Sequence, residues 1–176
     1  MRIDELVARL ELLPGAQIGC GPRHPICPRI EVAPQTAAFL ESYPFAREDR
    51  GYVEFLERFS GATVNDPEKD IGIDIMGFDP RMLNLVETEG PIVDANGYLL
   101  IAMCSYGEVS DGRLDTWEYD FALDSTGTRK KGIYCLTALS GETLTEFEWH
   151  RGSFEEWIAE LVEQAGKYAK PTSSNY

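Results

Sequence analysis

Apolar residues recur at Ile3, Leu6, Val7, Leu10 and Leu13, the spacing that lines one face of a helix, and Pro14-Gly15 ends the run. A short docking helix is predicted there. From Gln17 to Pro34 the chain is rich in Pro, Gly and Cys, which disfavour regular structure, so this stretch is read as an ordered loop. Gln35 to Tyr43 is read as a helix closed by Pro44. A second helix follows, in which Tyr52, Phe55, Leu56 and Phe59 form a stripe that stops at Gly61.

After Gly61 the period changes. Ile71, Ile73 and Ile75 alternate with Gly72, Asp74 and Met76, and turn signals recur to about residue 142, so the middle of the chain is read as sheet. Tyr98 to Met103 and Ile133 to Leu139 are almost continuously apolar and are expected to be central strands covered on both faces. Trp117, Tyr119, Phe121 and Leu123 alternate with Glu118, Asp120, Ala122 and Asp124, which describes a strand with one wet face. Thr145 to Trp149 behaves alike, with Phe147 and Trp149 on one side and Glu146 and Glu148 on the other. Two strands are thus expected to offer acidic outer rows. Near the carboxyl end, Ser153 and Glu156 make a capping box for a helix whose apolar face is Phe154, Trp157, Ile158, Leu161, Val162 and Ala165, with Gly166 as its stop.

These elements predict an α+β fold: a single domain over residues 1–170, built on a central, mostly antiparallel sheet flanked by helices, with a mobile polar tail at 171–176. Composition supports a folded chain, since 43% of the 176 residues are hydrophobic and 11% aromatic. Charge adds more. The net charge is −14, and Val64 to Thr128 alone holds fourteen acids against Lys69, Arg81 and Arg113, a net −11. Such a field repels phosphate backbones and attracts a basic protein, so the expected partner is basic protein and direct nucleic-acid binding is not expected. The acidic amino terminus lacks the basic head and apolar run of a signal peptide, and no stretch approaches membrane-spanning length. Cys20, Cys27, Cys104 and Cys135 are too scattered for a disulfide framework, and a reducing cytoplasm is the expected location.

Candidate reaction chemistry is thin. Cys20, His24 and Cys27 supply only three local zinc ligands, with a fourth needed from Cys104, Cys135 or His150, so plain loop and core cysteines are the better reading and no metal or cofactor is expected. Asp66, Glu68 and Asp70 begin like a calcium loop, but Ile71 stands where Gly is required and Gly77 where a bidentate Glu is required. An exposed acidic turn fits them better. Cys104 or Cys135 as a nucleophile would need a nearby base, and only His24 and His150 exist; an inert packed thiol is the simpler reading, and no enzyme activity is expected. The glycines at 97, 107, 112, 127 and 132 form no phosphate cradle and are read as turns. What remains is a docking patch in which Tyr106, Glu108, Asp111, Asp115, Glu118, Asp120 and Asp124 meet the partner.

The order from Asn96 onward adds a family resemblance. Gly97-Tyr98-Leu99-Leu100-Ile101-Ala102, then Trp117-Glu118-Tyr119-Asp120-Phe121-Ala122-Leu123-Asp124, Gly132-Ile133-Tyr134, and the closing Ser153-Phe154-Glu155-Glu156-Trp157-Ile158 resemble the SUKH superfamily, the group related to a yeast cell-wall assembly regulator. Phe55-Leu56-Glu57-Arg58-Phe59-Ser60-Gly61 sits where the family's helix-then-glycine entry to the sheet lies, and the likeness runs from about Val53 to Val162. The Cys/Pro-rich loop before Pro34 is outside the pattern, and Ser105-Tyr106-Gly107-Glu108 replaces the family's usual Gly-rich, acid-containing stretch. The resemblance implies a mixed α+β fold, no shared catalytic residues, and in bacteria an immunity protein that neutralises a polymorphic toxin, often a nuclease. A regulatory scaffold of the fungal type and a thiol-dependent enzyme are the alternatives.

Overall fold

The computed structural model describes residues 2–19, 32–79, 85, 93–110, 113–139 and 146–169. Among these residues four α-helices, α1 (Ile3–Leu10), α2 (Val32–Ser42), α3 (Arg50–Arg58) and α4 (Phe154–Ala169), accompany seven strands: β1 (Ala16–Ile18), β2 (Ala62–Asp66), β3 (Ile71–Ile75), β4 (Tyr98–Ser110), β5 (Arg113–Asp124), β6 (Ile133–Leu139) and β7 (Glu148–Arg151). The strands form one antiparallel sheet in the order β1 to β7, so each strand lies beside its neighbour in the chain. The predicted α+β architecture is therefore the observed one. No described helix is long and apolar enough to cross a membrane.

The helices sit on one face of the sheet. Ile3, Leu6 and Leu10 of α1, Phe39 and Leu40 of α2, Tyr52, Phe55 and Leu56 of α3, and Phe154, Trp157, Ile158 and Leu161 of α4 pack in one core. Val64, Ile73, Ile75, Leu99, Ile101, Cys104, Phe121 and Ile133 complete that core from the strands. Period-two alternation makes this possible, because every second side chain of a strand points the same way. A register shift between Leu100 and Ala102 inserts Ile101 as a β-bulge, and both Ile101 and Ala102 are fully buried.

One carboxylate ties two helices to this frame. Asp49 Oδ1 accepts the Tyr52 backbone N–H at 3.1 Å, capping α3, and its Oδ2 accepts the Phe154 N–H at 2.7 Å, at the start of α4. Both bonds satisfy amide groups that a helix leaves orphaned at its amino end. Ser153 Oγ accepts the Glu156 N–H at 3.2 Å, while the Glu156 carboxylate reaches back to Gly152 N–H at 2.9 Å. Arg58 joins α3 to α1 by pairing with both Glu54 and Asp4.

Several sequence expectations need correction. Gln17 and Ile18, inside the supposed loop, belong with Ala16 to an edge strand held by β2, and α2 begins at Val32 rather than Gln35. α4 runs through Gly166 to Ala169. One internal glycine costs a helix only about 1 kcal/mol, which the buried face outweighs. No described helix roofs the second face of the apolar strands β4 and β6, where Tyr98 and Tyr134 form a small cluster with Ala122 of β5, with Phe147 packed against it. Gly107 lies within β4, not in a turn, and Gly112 falls outside the described residues, as do Cys20, His24, Cys27 and the tail at 171–176. In β7 the expected geometry is reversed. Trp149 pairs with Tyr134 and takes the face away from the helices, while Glu148 pairs with Cys135.

Candidate functional site

The face of the sheet away from the helices carries the candidate site. At its centre, β3, β4 and β5 lie in register, and their outward positions form a grid. One row reads Asp74, Met103, Asp120, and the next reads Gly72, Ser105, Glu118. A third row follows with Asp70, Gly107 and Thr116: Gly107 N–H donates to the Asp70 carbonyl at 2.8 Å, and Thr116 Oγ1 donates to the Asp70 carboxylate at 3.0 Å. Strands sit about 4.8 Å apart and alternate residues about 7 Å apart, so Ser105 has Glu118 directly across from it and Asp70, Asp74 and Asp120 at diagonal positions about 7–8 Å away. A Cβ at Gly107 would overlap the Asp70 carboxylate, which explains a glycine in mid-strand.

No lysine or arginine occupies a described strand position of this face. Met103, between Asp74 and Asp120, is 36% exposed. Burial, and secondarily the charge of Glu118, pushes the Asp120 carboxyl above its ordinary value. Lys69 directly precedes Asp70 in the β2–β3 turn, and two further cations lie at the far end, roughly 20 Å away by strand rise. There Arg129 covers the Tyr98 ring at 4.4 Å and bonds Asp124 at 2.6 Å, while Lys130 covers Trp149 at 3.1 Å.

The predicted patch residues are therefore split. Glu118 and Asp120 share the open face. Tyr106 points to the helix side and is 3% exposed, so its ring belongs to the core. Glu108 and Asp115 pair with each other and share the strand parity of Tyr106 and Trp117, which sets them on the helix-side face at the far end of the β4–β5 hairpin. Asp124 organises the β5–β6 turn, accepting from Thr126 and Arg129; burial would raise its pKa, but these bonds outweigh burial and hold it below the usual carboxylate range. Asp111 lies outside the described residues. Asp66 and Asp94 likewise brace turns, accepting from Glu68 N–H and from Asn96 and Tyr98 N–H. The acids of the middle third thus do not form one patch.

No protein-family model, curated protein or solved structure matches the chain. The site must be read from its own chemistry.

That chemistry is poor in reactive groups. Burial pushes the Cys104 thiol well above its ordinary value and the half-buried Cys135 thiol up to about 11, the opposite of what activates a nucleophile. His150 is engaged by Glu160 at 2.8 Å, and Arg151 holds the other oxygen of that carboxylate at 2.5 Å. Among the described residues no three His, Cys, Asp or Glu side chains are placed to hold a metal ion. A cavity of about 190 Å³ beside the β5–β6 turn is smaller than typical ligand sites, and its charged groups are engaged: Glu48 with Lys131, Asp124 with Arg129, Asp49 with two helix amides.

Sequence reasoning missed Asp70, Asp74 and Met103 as members of the site. The alternation of Ile71, Ile73 and Ile75 already puts Gly72 and Asp74 on the opposite side from the core. What single-strand patterns lack is the register that sets Asp74 across Met103 from Asp120.

Proposed function

We propose that this chain is a non-enzymatic binding domain that neutralises a basic protein toxin by occlusion, docking it on the open face of the sheet. The observation that carries the reading is an asymmetry: the helices cover one face, and the centre of the other bears Asp70, Asp74, Glu118 and Asp120 with no cation among its described strand positions. A wet sheet face is ordinary, but solvated surfaces usually intersperse both signs. Neighbouring like charges destabilise a sheet, and an exposed methionine among them is better suited to contact than to solvation.

Toxin neutralisation is the form of binding that the SUKH resemblance implies. It fits the charge: a nuclease attracts phosphate backbones with a basic surface, and a carboxylate-rich face competes for that surface. The proposed site of action is the cytoplasm, where a nuclease toxin would meet its substrate. Occlusion asks nothing of the thiols.

The test is co-expression with a toxin encoded beside this gene, together with association kinetics. The wild-type chain is expected to protect, and Glu118→Lys with Asp120→Lys to slow association at least tenfold and weaken its salt dependence. Failure to protect sinks toxin neutralisation. Unchanged kinetics in the charge-reversed variant would mean that the wrong surface was chosen.

A further inference from the structure

Two observations narrow the partner. The row Asp74, Met103, Asp120 sets two carboxylates on strands either side of a thioether, with Cα positions two strand spacings, or about 9.5 Å, apart. The next row offers Glu118 beside the short Ser105 and the side-chain-free Gly72, so next to Met103 the surface drops over Ser105 and Gly72 and carries its charge on Asp74, Asp120 and Glu118. A lysine ammonium, as a compact point charge, reaches one margin at a time. A guanidinium with a charge-assisted bond of about 2.8 Å at each end spans about 8 Å, presents five donors in a plane, and can lie flat on a methionine.

We infer that the centre of this face seats an arginine side chain from a basic protein partner, with its stem on Met103 and its guanidinium bridging toward Asp74, Asp120 and Glu118. The inference rests on the reading of the open face as a docking surface and names what that surface selects. A second copy of the chain is the wrong occupant, because a two-fold contact through this face sets carboxylates against carboxylates. Burial and, secondarily, the charge of Glu118 disfavour the charge on Asp120, and an arginine offsets the second of these.

The probes are octa-arginine and octa-lysine peptides, titrated into the full chain near physiological salt and followed through backbone amide NMR shifts. Octa-arginine is expected to shift residues 72–74, 103–105 and 118–120 and to bind at least fivefold tighter than octa-lysine. Asp74→Asn with Asp120→Asn should remove that preference and weaken octa-arginine binding at least tenfold, with the fold verified by its amide spectrum. Glu108→Gln with Asp115→Asn should change affinity less than twofold. Equal affinity for the two peptides, shifts centred on the hairpin end, or a concentration-dependent dimer that masks the same amides would each overturn the inference. Its fate separates from that of the toxin reading. Arginine selection without protection in cells leaves the inference standing, whereas protection by a variant lacking Asp74 and Asp120 charge, with full toxin affinity, removes it.

Discussion

Replacing Asp49 with alanine removes an acceptor from two helices at once. Its carboxylate is 9% exposed and bonds the amides of Tyr52 and Phe154, 105 positions away from it in the latter case. A lost amino-terminal cap costs about 1 kcal/mol. A bond from a buried amide to a charged acceptor is worth about 1.5–3 kcal/mol, and Phe154 is fully buried, so water cannot readily replace the lost partner. The expected loss for Asp49→Ala is therefore about 2.5–4 kcal/mol, or roughly 5–16 °C in Tm for a chain of this size. Asp49→Ser separates the two contributions, since its hydroxyl reaches the Tyr52 amide and is too short to reach Phe154 as well. It should recover about 1 kcal/mol of the loss. Urea unfolding followed by tryptophan fluorescence and far-UV circular dichroism measures both variants. A loss under about 1 kcal/mol for alanine, or wild-type stability for serine, would refute the claim that this side chain fastens α4 to α3.

Two further outcomes follow from the packing. Gly107→Ala should destabilise by about 1–3 kcal/mol by driving Asp70 from Thr116, and in an Asp70→Gly background, which removes the Cβ of residue 70 as well as its carboxylate, the same change should cost less than about 0.5 kcal/mol; additive losses in the double-mutant cycle would refute the proposed overlap. Iodoacetamide near neutral pH should modify Cys135 slowly and Cys104 only on unfolding, as read by peptide mass spectrometry. Because the native Cys135 thiol ionises near pH 11 and an unfolded one near 9, its contribution to stability is complete below pH 9 and is lost as pH rises toward 11. Rapid native labelling of either thiol, or stability that climbs over that alkaline interval, would contradict the burial of these groups.

Much of the fold is legible in the residues themselves. α4 can be read because six apolar side chains, a Ser153 cap and first-turn glutamates agree on one helix. The alternation in Trp117 to Asp124 correctly sets Glu118 and Asp120 on the solvent side. β1 is a different matter. Three residues are too few to show a period, and Ala16–Ile18 becomes a strand because β2, more than forty residues later, supplies its partners. Tyr106 shows a similar limit: proximity in sequence groups it with the acids, but strand parity turns its ring into the core. The diversion of Asp66, Asp94 and Asp124 into turns was partly visible, since acids in such contexts bond amides two residues on. Which acids meet across strands depends on register, and register is a property of the assembled sheet.

The sequential strand order has a consequence for how the chain assembles. From β3 onward, each strand finds its neighbour already made as synthesis proceeds, so hydrogen-bonded pairing keeps pace with elongation at about 5–20 residues per second. The roof is completed last. α1, α2 and α3 are made before β2, but Phe154, Trp157, Ile158 and Leu161 follow every strand, so the part of the sheet's underside that they cover stays wet until they emerge. Stalling the ribosome before residue 154 should therefore yield a paired but sticky intermediate, and the interval before α4 closes is when this molecule most needs a chaperone.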